Sequence, residues 1–236
     1  MVALFAAYVI HSYRATGFDR RILRNDERVT VADTADTITF TPTGSPRRSA
    51  LIFIPGSMVD PDAYAPLARK IADDGHPVIV AKLPWRLAST DAARDAVVER
   101  VRAVIDSSGG RTRWVVAGHS FGGALAARVA RDHANKLAGV VLIGTSHPRD
   151  FDLSRLTIDV TKVSASNDGL ASPAEVKANA RKLPPHTRWV TIDGGNHSQF
   201  GYYGFQLGDR RATISRDAQQ EATRQALSDT LNRADR

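Results

Sequence analysis

Trp114-Val115-Val116-Ala117-Gly118-His119-Ser120-Phe121-Gly122-Gly123 decides the fold of this chain. Four apolar residues read as a buried strand, G-x-S-x-G follows at once, and Gly123 to Ala134 reads as a helix. A strand that turns straight into a helix holds the serine at the tip of a sharp turn. The glycines two residues to either side let the backbone pass close by. The helix then directs its free N–H groups and positive dipole end toward charge that develops at the serine. Ser120 is therefore the candidate nucleophile, although serine also suits an ordinary helix N-cap.

A base and an acid follow downstream. Leu156 to Ala165 reads as a strand by its β-branched content and runs into Ser166-Asn167-Asp168-Gly169. Asp168 then sits just past the strand, as an acid or as the first residue of an Asp-Gly turn; Asp150, Asp159 and Asp193 are weaker alternatives. Thr187 to Ile192 reads as the next strand and ends in Asp193-Gly194-Gly195-Asn196-His197. A histidine on a glycine-rich loop can swing over the sheet edge to meet the serine. His119, His76 and His186 occupy packing or connecting positions, and His147 precedes the acid, which is the wrong order. Ser120, Asp168 and His197 fall in the order nucleophile, acid, base. Upstream, the apolar strand Leu51 to Ile54 leads into Pro55-Gly56-Ser57-Met58. Its loop offers one oxyanion-hole N–H, from Ser57 or alternatively Met58, to pair with that of Phe121.

On these residues the chain resembles the α/β-hydrolase superfamily, in particular its small, capless, dienelactone-hydrolase-like serine hydrolases. More narrowly it is similar to a bacterial branch of hydrolases of unassigned substrate. The shared motifs read here Pro55-Gly56-Ser57-Met58-Val59-Asp60-Pro61, Gly118 to Gly123, Asp168-Gly169 and Gly194 to Gly201. The likeness covers about residue 38 to the C-terminus. It implies an α/β fold: a mostly parallel central sheet, helices on both faces and no large cap domain.

The remaining pattern agrees. Short strands are expected at 29–32, 37–41, 51–54 and 77–81, and another at 137–143. Helices are expected at 61–73, 90–105, 173–182 and 216–232. About a dozen residues separate Ile143 from the following strand, too few for a helical lid. The mouth should be open, walled by Met58, Trp85, Phe121, Phe200 and Tyr202. The glycine- and aromatic-rich run from Gly201 to Asp209 should fold back to brace the histidine loop.

The 236 residues fit one catalytic domain, 25–236, preceded by an apolar and basic segment, 1–24. Val2 to Ile10 is too short to span a bilayer, which needs about 20 apolar residues. It lacks the features of a secretory signal. Either a packed helix or the remnant of a membrane anchor fits, the latter leaving Arg14, Arg20, Arg21 and Arg24 at the cytoplasmic face. The expected location is cytoplasmic, with membrane association open through this segment. The net charge of +7 is scattered arginine without aromatic interleaving, which argues against a nucleic-acid partner. With no cysteine in the chain, thiol nucleophiles, disulfides and cysteine-based zinc sites are excluded.

The sequence thus predicts a hydrolase that needs neither cofactor nor metal. It would cleave small or medium acyl esters as a carboxylesterase, through a Ser-His-Asp triad and an acyl-enzyme. A thioesterase, lactonase or amidase would use the same triad. A non-catalytic scaffold of the same fold, binding a ligand or partner, is the alternative of another class.

Overall fold

The aliphatic and β-branched runs form eight strands in the computed structural model, which describes Tyr8 and residues 11–236. In chain order they are β1 (Val29–Asp33), β2 (Thr37–Pro42), β3 (Ser49–Ile54), β4 (Val78–Ala81), β5 (Arg113–His119), β6 (Gly139–Ile143), β7 (Asp159–Ala165) and β8 (Arg188–Ile192). They make one sheet in the order β1-β2-β4-β3-β5-β6-β7-β8. β1 and β2 pair antiparallel, β2 runs antiparallel to β4, and every other pairing is parallel. All of β3 is buried, and so is β5 after Arg113, as parallel strands covered on both faces must be.

Among residues 20–236 the sheet is covered by α1 (Ala65–Asp73), α2 (Asp91–Ser107), α3 (Phe121–His133), α4 (Pro173–Ala178) and α5 (Arg216–Ala234). Strand alternation divides the core. Leu51, Phe53, Val115 and Ala117 face α1 and α5 through Leu67, Ile71, Leu227 and Leu231. Ala50, Ile52, Ile54 and Val116 face α2 and α3 through Val97, Val101, Leu125 and Val129.

The element boundaries depart from expectation by more than two residues in three places. The helix expected over 61–73 begins as a 3-10 turn, Pro61–Tyr64, and becomes α-helical at Ala65. Pro66 lies in the first turn of α1, where a missing N–H costs nothing. The helix expected over 173–182 stops at Ala178 and ends in a 3-10 turn. β7 starts at Asp159 because the β6 register begins there, with Gly139 opposite Asp159.

Residues 144–158 join β6 to β7 without a helix, so no cap covers the carboxyl edge of the sheet. The expectation for Val2 to Ile10 lies outside the described residues, Tyr8 apart. The adjoining stretch packs on the body of the fold. Asp60 N–H donates to the Tyr13 carbonyl, Thr16 N–H to that of Tyr202, and Gly204 N–H to that of Ser12. Arg69 holds the carbonyls of Ile22 and Arg24. Among the described residues no helix is long and apolar enough to cross a membrane.

Candidate active site

Ser120 sits between β5 and α3 with φ 56° and ψ −119°, a region that side-chain-bearing residues rarely occupy. The turn is held from both sides. Ser120 N–H donates to the Ile143 carbonyl at 2.9 Å, and the Ser120 carbonyl accepts from Gly123 at 3.0 Å and Ala124 at 3.2 Å. A Cβ at Gly118 would overlap the Gly122 carbonyl, and one at Gly122 would overlap the carbonyls of Ile54 and Pro55. Only glycine lets α3 start this close to β3. Phe121 opens α3, so its N–H has no intrahelical partner.

Asp168 and His197 meet above the ends of β7 and β8. His197 Nδ1 lies 2.9 Å from Asp168 Oδ2 and 3.1 Å from Oδ1. Asp168 Oδ1 also accepts from Leu170 N–H at 2.8 Å and Ala171 N–H at 2.7 Å. Both side chains are buried, and among the described residues His197 Nε2 has no hydrogen-bond partner. With Nδ1 donating to the carboxylate, Nε2 carries the free lone pair, the atom a general base needs.

The Gly201–Asp209 run does fold back onto the histidine loop, and its effective atom is the Asp209 carboxylate. That carboxylate accepts from the N–H groups of Gly169, His197 and Ser198, so it ties the acid loop to the histidine loop. From α5, Gln219 takes Asn196 N–H on Oε1 and returns Nε2–H to the Asn196 carbonyl. Sequence reasoning held Asp209 only as the end of the bracing run and missed Gln219. The signal for Gln219 is that α5 carries glutamines and threonines on its buried face where a core helix would carry leucine.

The loop after β3 departs in part from expectation. Met58 N–H donates to the Arg86 carbonyl at 2.5 Å, which removes it from the candidate oxyanion donors. Among the described residues no hydrogen bond engages Ser57 N–H. Ser57 and Phe121 are the two candidates left.

A cavity of ≈ 210 Å³ opens at Ser120, Phe121 and His197. Its walls are Gly144 to His147 with Arg149 on one side, and Leu170 with Ala171 on the other. Four expected wall residues do not line it. Met58 is absent from the lining, and its N–H is bonded to the Arg86 carbonyl. Trp85 is 97% exposed and borders a separate groove with Val59 and Lys82. Phe200 is buried beneath the site against His119. Tyr202 donates its hydroxyl to Asp217 and packs on Phe18. Conspicuous residues near a motif served as proxies for a pocket, but Met58, Phe200 and Tyr202 have other partners and Trp85 faces solvent. The spacing after β6, read only as the absence of a cap, was the available signal for the true wall. A larger cavity, ≈ 580 Å³, lies at the opposite end of the sheet around Asp106, Trp114 and Lys136 and contains no nucleophile with a base.

The charges around the cavity are unusual. Burial pulls His147 down to about 4, aided by Arg149, so it is neutral at ordinary pH. Burial pulls His119 well below the usual histidine range. Lys162, on β7, is buried and donates to the Thr145 and His147 carbonyls at 2.5 and 2.6 Å. Burial lowers it to about 7, with the Asp168 charge acting against the shift. This lysine anchors the cavity wall from below.

A second serine–histidine contact, Ser49 Oγ to His76 Nδ1 at 2.8 Å, lies at the opposite strand ends. It is not a competing centre. Ser49 is fully buried, and Asp235 approaches the same Nδ1, at 4.0 Å, so no relay through the ring exists.

Comparison with known proteins agrees with the fold. The model of the alpha/beta hydrolase family matches residues 50–221. No curated protein matches the chain by sequence. Among solved structures, Est1E from Butyrivibrio proteoclasticus superposes with a TM-score of 0.62 at 13% identity, over 87% of this chain and 100% of that one. An alpha-beta serine hydrolase homologue from Coxiella burnetii gives 0.61 at 16% identity, over 88% and 99%. A candidate dienelactone hydrolase from Klebsiella pneumoniae gives 0.60 at 13% identity, over 81% and 90%. At such identities the likeness speaks for the fold.

Proposed function

The chain belongs to the alpha/beta hydrolase family, and on that premise we propose that it is a serine hydrolase of carboxylic esters, with Ser120 as nucleophile. The observation that carries the reading is the buried, unpartnered His197 Nε2, backed by Asp168 and bordering the same cavity as the strained Ser120. Ser120 Oγ attacks the acyl carbonyl as His197 Nε2 takes its proton. The Phe121 and Ser57 N–H groups receive the oxyanion, each such donor contributing about 3–4 kcal/mol to barrier reduction. Collapse expels the alkoxide, which takes the proton from His197. Water then attacks the acyl-enzyme, with His197 as base again, and releases the carboxylic acid. The cavity of ≈ 210 Å³ favours short acyl groups.

A fluorophosphonate probe tests the reading. Native protein should be labelled and Ser120→Ala should not. No labelling, or equal labelling of the two, refutes the enzyme and favours a non-catalytic scaffold. A series of p-nitrophenyl esters should then show turnover falling beyond short acyl chains.

A further inference from the structure

We propose that Tyr64 is a positioning residue whose single hydroxyl couples the oxyanion loop to the nucleophile turn, by way of Gly56 and His119. The proposal rests on the serine-hydrolase reading above and adds a residue that reading does not use.

Tyr64 ends the 3-10 turn after the oxyanion loop and is 1% exposed. Gly56 N–H donates to its Oη at 3.0 Å, and Oη lies 2.9 Å from His119 Nδ1. Gly56 N–H can only donate, so it takes one lone pair of the phenol oxygen. The arrangement that also gives the phenol proton an acceptor sends it to His119 Nδ1, because an Nδ1–H donating to the second lone pair would leave the O–H without a partner. His119 then carries its proton on Nε2, which has no hydrogen-bond partner among the described residues. Burial pushes the phenol upward and His119 downward, so neither titrates out of this role at ordinary pH.

Sequence position gives the contact its consequence. Gly56 precedes Ser57, a candidate oxyanion donor, and His119 precedes Ser120. One oxygen therefore sets the separation between two halves of the site that reach it from different strands, β3 and β5. The fit is tight. A Cβ at Gly56 would lie 3.1 Å from both His119 Nδ1 and Tyr64 Oη. The His119 ring packs 4.6 Å from that of His197, so its fixed orientation also forms a wall for the base. The Tyr64 ring rests on Phe53 at 4.9 Å, which holds the hydroxyl in place.

Tyr64→Phe keeps the ring packing and deletes both hydrogen bonds. The expected result, on p-nitrophenyl acetate, is a loss in kcat of about 10- to 100-fold. That is less than the 10²–10³-fold cost of removing an oxyanion donor outright. KM should stay within about two-fold, and the fluorophosphonate labelling rate should fall with kcat. His119→Asn, which places Oδ1 near the position of Nδ1 but removes the ring beside His197, should retain clearly more activity than His119→Leu. His119→Leu should lose as much as Tyr64→Phe, and the double variant should be no worse than either. Wild-type kcat in folded Tyr64→Phe, a change confined to KM, or additive losses would overturn the proposal. If Tyr64→Phe fails to fold, equal activity of His119→Asn and His119→Leu would overturn it. Loss of wild-type labelling bears instead on the serine-hydrolase reading. The ¹⁵N shift of His119 then decides the coupling without turnover: Nδ1 should be unprotonated and should shift in Tyr64→Phe, and a protonated Nδ1 would overturn it.

Discussion

Asp168→Asn offers a severe test of the candidate triad, because the structure dictates which way the new amide faces. Asp168 Oδ1 accepts from two backbone N–H groups, Leu170 and Ala171, while Oδ2 is the oxygen nearer His197 Nδ1. An asparagine keeps both backbone bonds only with its oxygen in the Oδ1 place, which turns its NH₂ toward His197. The opposite orientation would aim amide hydrogens at two N–H donors. Leaving two buried donors unpaired costs about 1–3 kcal/mol each, or roughly 2–6 kcal/mol together. The favoured orientation makes His197 Nδ1 an acceptor and moves the ring proton to Nε2, where it blocks proton transfer from Ser120. Loss of the correct tautomer in such a triad lowers kcat by about 10⁴-fold. The fold should persist, since the turn keeps its hydrogen bonds. Steady-state hydrolysis of p-nitrophenyl acetate, with urea unfolding as the control for folding, reads both. A folded Asp168→Asn enzyme retaining more than about a tenth of wild-type kcat would refute the assignment.

Two further outcomes follow from the packing and the charges. Gly122→Ala puts a methyl group onto the Ile54 and Pro55 carbonyls, so α3 must back away from β3. The expected loss is about 1–3 kcal/mol of stability, as for other overpacked sites, read as a lower urea midpoint at unchanged slope; an unchanged midpoint would contradict it. Lys162 gives a pH dependence. The unfolded lysine stays protonated to its ordinary 10.5, whereas the buried one releases its proton at about 7. Between those values the unfolded state binds more protons, so this group makes stability rise with pH, by up to about 1.4 kcal/mol per pH unit. Lys162→Met should lack that component, and parallel stability curves for variant and wild type between pH 7 and 9 would sink the argument.

Sequence reading found the parts of this molecule that depend on chain-local chemistry. The strand-to-helix turn at Ser120 was legible because glycine is needed at both Gly118 and Gly122. Asp168 and His197 were legible because each follows a β-branched run and sits in a turn-forming loop. The hidden parts depend on contacts between distant segments. Asp209 bonds residues 169, 197 and 198, Lys162 bonds the wall at 145 and 147, and Tyr64 joins 56 to 119. No spacing rule relates such positions. A lysine inside β7 or a tyrosine after the oxyanion loop reads as composition until the sheet order brings β3, β5 and β7 together. The pocket aromatics failed for the converse reason. Trp85, Phe200 and Tyr202 were local and conspicuous, but lining a cavity depends on what each packs against.

The same buried polar contacts explain how an uncapped site can hold its geometry. Ser120 is held in a conformation that costs about 1–3 kcal/mol, a strain that persists only where the surroundings over-determine it. Its neighbours do so through the Ile143 carbonyl and the first turn of α3. The other loops at this edge lack a covering domain to order them, and water would otherwise compete for their backbone groups. Each is instead satisfied by a side chain from another segment: Tyr64 at the oxyanion loop, Lys162 at the wall, Asp209 and Gln219 at the histidine loop. A site ordered in this way meets its substrate without spending binding energy on loop closure. On the proposed reading, discrimination between esters falls to the wall of Gly144 to His147 and Arg149 with Leu170 and Ala171, because the remaining elements of the site are already committed to one another.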